Sequence, residues 1–99
     1  MRYIYIVIQS FKDSDTEKVF TRVFCRKFSG DIQKIALRKL LLIHGSTDVN
    51  DLRLPPGNRL EILKGDRKGQ YSIRINDQYR ICFKWNNGNA LEVEIVDYH

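Results

Sequence analysis

The chain has 99 residues, a 42% hydrophobic fraction and a net charge of +5. That is one domain with a single modest core. Cys25 and Cys82 are its only cysteines, which excludes a disulfide scaffold and favours reduced thiols in a cytosolic protein.

The apolar opening, Tyr3 to Ile8, is far shorter than the ~20 residues that span a bilayer. It also lacks the length and cleavage site of a signal peptide, so no membrane or export step is expected. Tyr3 to Phe11 instead has the Ile, Val and aromatic content of a strand. Asp13, Ser14 and Asp15 offer caps for a helix through Glu17 to Phe24, with Phe20, Val23 and Phe24 on one face. Arg22, Arg26 and Lys27 form a basic run of the kind that usually marks a solvated face.

Ser29 caps a second helix, with Asp31 in its first turn. Ile32, Ile35, Ala36, Leu40 and Ile43 recur at helical spacing and give a buried stripe. Gly45 is a natural stop. His44 falls in the last turn, where partial positive charge is favoured, and that role outweighs a catalytic one. Asp48 caps a short third helix through Leu52. Pro55-Pro56-Gly57-Asn58 then forces a turn.

Everything after that turn reads as strand and loop. Leu60 to Leu63, Tyr71 to Ile75, Tyr79 to Trp85 and Ala90 to Tyr98 are strands. Period two sends Ile73, Ile75, Ile81, Phe83 and Trp85 inward, with Ser72, Arg74, Arg80, Cys82 and Lys84 outward. Leu91, Val93 and Ile95 point inward on the last strand, against Glu92 and Glu94. Keeping Phe83 opposite Leu91 calls for a three-residue loop, Asn86-Asn87-Gly88. A two-residue turn would pair Lys84 with Leu91 and mix the faces. The fold expected is therefore α+β, a twisted antiparallel sheet with two to three N-terminal helices on one face.

Four of the five net positive charges fall between Arg59 and Lys84. The outward face is thus cationic and suits a polyanion such as nucleic acid. A basic surface without a partner is the plain alternative. The chain ends on Tyr98-His99, two side chains able to move protons. No cysteine or histidine cluster has metal-ligand spacing, and no cofactor is expected.

Several segments together resemble the RelE/ParE superfamily of toxins, in its plasmid-maintenance killer (HigB-like) branch. They are Leu54-Pro55-Pro56-Gly57-Asn58-Arg59-Leu60, Leu63-Lys64-Gly65-Asp66-Arg67, Tyr71-Ser72-Ile73-Arg74-Ile75-Asn76-Asp77-Gln78-Tyr79-Arg80-Ile81 and Asp97-Tyr98-His99. The resemblance runs from about Ser10 to His99, with Met1 to Ile6 as an extension beyond the usual start. It implies a toxin of a type II toxin–antitoxin pair that cuts mRNA in the ribosomal A site. It also implies a helix-turn-helix antitoxin as partner, which carries the complex to operator DNA.

RNA cleavage by the ribose 2′-OH needs a base, cations around the phosphate and an acid for the departing 5′-oxygen; this route requires no metal. By resemblance, Lys64 is the catalytic lysine, Arg80 contacts the scissile phosphate, and Tyr98 and His99 form the terminal pair. Arg67 matches a basic position that grips RNA; Arg74, Lys84 and Lys68 are read as electrostatic support. Some relatives have histidine three residues before the lysine, where this chain has Glu61; the general base stays open among these groups. Read from pattern alone, Lys64 is an exposed lysine beside a turn, Arg80 a cross-strand partner of Glu94, and Tyr98-His99 a frayed end. Two other readings stand beside the nuclease. One is a superfamily toxin that poisons DNA gyrase, and the other is an inactive RNA-binding module.

Overall fold

The computed structural model describes residues 7–98. The expected extension Met1 to Ile6 and the terminal His99 lie outside them.

Among the described residues, helix α1 runs Ser14–Phe20 and helix α2 Gly30–His44. Both start where a capping side chain accepts a backbone N–H: Asp13 Oδ1 from Thr16 at 2.7 Å, and Ser29 Oγ from Ile32 at 3.2 Å. The expected third helix is a 3-10 segment, Val49–Arg53, closed by a capping box between Asp48 and Asp51.

The sheet has strands β1 (Glu61–Ile62), β2 (Gln70–Arg74), β3 (Tyr79–Asn86) and β4 (Asn89–Asp97). They are antiparallel neighbours in chain order. The inner face presents Ile73, Ile81, Phe83 and Val93 to Val19, Ala36, Leu40 and Ile43 of the helices, in one buried cluster. Each fully buried Val, Leu, Ile or Phe side chain contributes about 1.5–3 kcal/mol, which holds the helical layer on that face. The Thr16 hydroxyl, fully buried, accepts from the Ile95 N–H at 2.9 Å and ties α1 to β4. The described part of the expected opening strand bridges β4 in parallel at Ile8↔Ala90 and Phe11↔Val93.

The structure departs from the sequence expectation at the end of α1 and in the last hairpin. Helix α1 ends at Phe20 because Arg22 turns into the left-handed region (φ 63). Val23 and Phe24 therefore leave the helix and are 53% and 72% exposed. His44 Nδ1 accepts from the Ile8 N–H at 3.3 Å, and its ring packs edge-on against Phe20. It fastens the first bridged segment, so its position in the last turn of α2 has a packing role.

The last hairpin has the two-residue turn after all. Trp85 pairs with Ala90 and Lys84 with Leu91, across Asn87 and Gly88 at φ 52 and 81. Both central residues have positive φ, as a type I′ turn requires. The faces are kept apart by a β-bulge instead. Pairing steps from Cys82↔Glu94 to Lys84↔Leu91, so Glu92 and Val93 together oppose Phe83. Glu92 takes φ 50 and points into solvent, which returns Val93 to the core. Ala90, fully buried, takes the inward place expected of Leu91.

Candidate active site

The outer face carries a row of Cα partners, Glu61–Ser72–Cys82–Glu94, one from each strand. Arg80 stands two residues from Cys82 on β3, directly opposite Arg74. Its side chain runs diagonally back across β2 toward β1. Nε donates to Ser72 Oγ at 2.8 Å, and Nη2 donates to the carbonyls of Arg59 at 2.6 Å and Ser72 at 3.3 Å. Nη2 also lies 3.3 Å from Glu61 Oε1. The Tyr98 ring centroid is 5.7 Å from Arg80 Cζ, within cation–π reach. Arg80 is only 8% exposed, so the guanidinium is held by protein acceptors and not by water.

The Arg59 carbonyl is placed by its own backbone, which is left-handed at φ 46. The preceding residue, Asn58, is wholly buried. Its Nδ2 donates to the carbonyls of Leu52 and Leu54 at 3.2 Å each, and its Oδ1 accepts from Lys39. The expected turn at Pro55 to Asn58 is therefore a rigid corner under the Arg80 cage.

A second arginine closes the row from above. Arg67 sits in the loop between β1 and β2; its Nη1 reaches Glu94 Oε2 at 3.0 Å and Gln70 Oε1 at 3.1 Å. Lys12 shares the same Glu94 oxygen at 3.5 Å. The hydrogen bond to Glu94 raises the Arg67 pKa further, fixing its positive charge. Beneath lies Cys82, wholly buried. Burial pushes its thiol pKa up, although Arg67 and Arg80 pull the other way. Buried and held in its protonated form, that thiol underlies the site and does not serve as a nucleophile.

The structure brings both Glu61 and Tyr98 to Arg80, while Arg67 is held separately on Glu94. Lys64 is exposed at the start of the loop that carries Arg67, its carbonyl accepting the Arg67 N–H at 3.3 Å. Among the described residues no carboxylate pairs with its ammonium. Lys68 is likewise exposed on that loop. Arg74 turns away to pair with Asp77, and Lys84 pairs with Glu92 at 2.9 Å. These two stand at opposite ends of the face, outside the cage. The expected Arg80–Glu94 pair is not formed, because Arg80 leans toward β1 and leaves Glu94 to Arg67.

Sequence reading missed Ser72, the Arg59 carbonyl and Asn58. Ser72 had one signal: a small hydroxyl on the outward face of a central strand, between a tyrosine and an isoleucine.

Residues 9–99 match the family described as the RelE-like toxin of the type II toxin–antitoxin system HigB. The chain belongs to the HigB-like toxin family. Among its HigB-like relatives, Toxin HigB-1 of Vibrio cholerae is 46% identical over 66 residues, covering 67% of this chain and 70% of that protein. Endoribonuclease HigB of Proteus vulgaris is 33% identical over 94 residues, covering 94% of this chain and all (100%) of that protein. In fold, the chain resembles the Staphylococcus aureus YoeB–YefM complex at a TM-score of 0.59 and 23% identity, covering 97% of this chain and 99% of that one. Among the described residues no helix is long and apolar enough to cross a membrane.

Proposed function

We propose that this HigB-like toxin is an endoribonuclease that cuts mRNA in the ribosomal A site and thereby stops translation in the bacterial cytoplasm. The observation that carries the reading is the Glu61–Arg80 contact of 3.3 Å, with the Tyr98 ring 5.7 Å from the same guanidinium. It puts a carboxylate and a caged guanidinium on the cationic face of the sheet, in a family of RelE-like toxins. One relative bears the name endoribonuclease.

The chemistry follows from those groups. A scissile phosphate takes the place of the Glu61 carboxylate at Arg80, because both are anions and Glu61 is the half-exposed partner. The displaced carboxylate lies beside the ribose and removes the 2′-OH proton. The 2′-oxygen attacks phosphorus, the P–O5′ bond breaks, and a proton passes to the departing 5′-oxygen. The products are a 2′,3′-cyclic phosphate and a 5′-hydroxyl. His99 is the proposed acid, following from its place in the family's terminal pair. Lys64 and Arg67 add positive charge where the phosphate gains negative charge. A pre-held guanidinium needs no reorganisation as that charge develops, which is where most of its catalytic value lies.

The partner proposed is a cognate helix-turn-helix antitoxin, which neutralises the toxin and carries the pair to operator DNA. The likeness to the toxin of a YoeB–YefM complex supports an antitoxin partner.

The test is a translation reaction with defined mRNA, with and without ribosomes. The expected result is ribosome-dependent cuts in frame with codons, leaving 5′-hydroxyl ends, lost in Arg80→Ala and Glu61→Gln. Intact mRNA in every ribosome-containing reaction would hand the assignment to the gyrase-poison or RNA-binding readings.

A further inference from the structure

We infer that Ser72 is the positioning residue for Arg80, and that it decides which edge of the guanidinium meets the RNA phosphate. This rests on the endoribonuclease reading.

A guanidinium has two edges that can receive an anion bidentately: the Nε–Nη2 side and the Nη1–Nη2 end. In this protein the Nε proton is given to Ser72 Oγ at 2.8 Å. Nη2 faces two carbonyls and the Glu61 carboxylate. The carbonyls belong to the backbone and stay. Only Glu61 is a side chain, and it is 55% exposed, so it alone can give way. The Nη1 protons take no acceptor among the described residues. The phosphate therefore enters end-on, across Nη1 and the position vacated by Glu61, while the Nε side stays closed.

Ser72 is what closes it. The residue is wholly buried on β2, opposite Cys82. No other described side chain accepts from Nε. With Arg80 8% exposed, water cannot readily replace the hydroxyl. Without it the Nε–H is buried and unsatisfied, and the guanidinium gains by rotating to find another acceptor. Such a rotation turns the Nη1 end away from the place the phosphate takes beside Glu61. The consequence is a loss of transition-state fit with little loss of substrate binding, since Lys64, Arg67 and Lys68 still hold the RNA backbone.

The experiment compares the full-length wild type with Ser72→Ala, Ser72→Thr and Ser72→Cys. It measures cleavage of ribosome-bound mRNA and the side-chain Nε–H resonances of the arginines. Ser72→Ala is expected to lower kcat about 100-fold while KM stays within about twofold. The Arg80 Nε–H should lose its protection from hydrogen exchange, and the Arg67 Nε–H should not change. Ser72→Thr, which keeps the oxygen, restores most of both.

A folded Ser72→Ala with wild-type kcat, or with the Arg80 Nε–H still protected, overturns the inference. Should Ser72→Ala fail to fold, Ser72→Cys decides: its weak acceptor gives an intermediate kcat if Ser72 positions Arg80, and an unchanged kcat refutes it. If the wild type itself cuts no mRNA, the endoribonuclease reading falls alone, and the Nε–H protection still reports whether Ser72 holds the guanidinium.

Discussion

Arg67 and Glu94 meet at 3.0 Å although they come from the loop after β1 and from the far strand β4. The pair bridges the width of the sheet and roofs the buried Cys82. It also takes a carboxylate that Arg80 lacks, which leaves Arg80 to Glu61.

Glu94 is therefore a counter-charge for two cations, Arg67 and Lys12. Glu94→Gln is expected to tighten single-stranded RNA binding several-fold at low salt. The slope of log affinity against log salt should steepen by about 0.7 for each cation released. Stability should fall by no more than about 1 kcal/mol, since Arg67 stays partly in water. Fluorescence anisotropy across a salt series, with a urea melt, checks both.

Glu61→Gln keeps the shape of the carboxylate and removes its basicity. Cleavage is expected to fall by about 10²–10⁴-fold, the usual share of a general base. Binding of ribosome-bound mRNA should hold or improve, because Arg80 loses a competing anion. Single-turnover cleavage beside filter binding separates the two effects. A variant that cuts at the wild-type rate removes Glu61 from the mechanism.

Asn58→Ala leaves the buried carbonyl of Leu52 and the part-buried one of Leu54 without their donor. The loss at the buried Leu52 carbonyl costs about 1–3 kcal/mol. Because the Arg59 carbonyl hangs from the same corner, cleavage should fall along with stability even where the protein remains folded. Thermal melts and cleavage rates on the same samples test the coupling.

Cys82 gives a pH prediction. Burial raises the thiol pKa in the folded state, so the native fold favours the protonated form. That contribution is complete below the ordinary thiol value of about 8.5 and is lost as pH rises through the higher native value. Cys82→Ala should therefore show less alkaline loss of stability than the wild type. Urea midpoints of the two proteins through that range measure it, and parallel curves would contradict it.

Much of this architecture was legible in the chain. The caps at Asp13, Ser29 and Asp48, the stripe through Ala36, Leu40 and Ile43, and the inward run Ile73, Ile81, Phe83 follow from local chemistry and period. The bulge at Glu92 did not, because a non-glycine residue at positive φ gives no local signal. An odd loop is one way to keep the faces apart, and the chain uses a bulge instead. Val23 and Phe24 fit a helical face by spacing, but the left-handed Arg22 cuts the helix off before them. The cationic face was plain from charge spacing. The cage around Arg80 was not, since it depends on two backbone carbonyls and a diagonal reach across strands.

Cleavage of ribosome-bound mRNA rests on the caged Arg80 and its neighbour Glu61. Its most direct measurement is mapping of transcript 5′ ends in cells expressing wild type, Arg80→Ala or Glu61→Gln. The account predicts in-frame breaks bearing 5′-hydroxyls for the wild type alone. Equal breakage in all three, or growth arrest by the wild type with its transcripts intact, would contradict it.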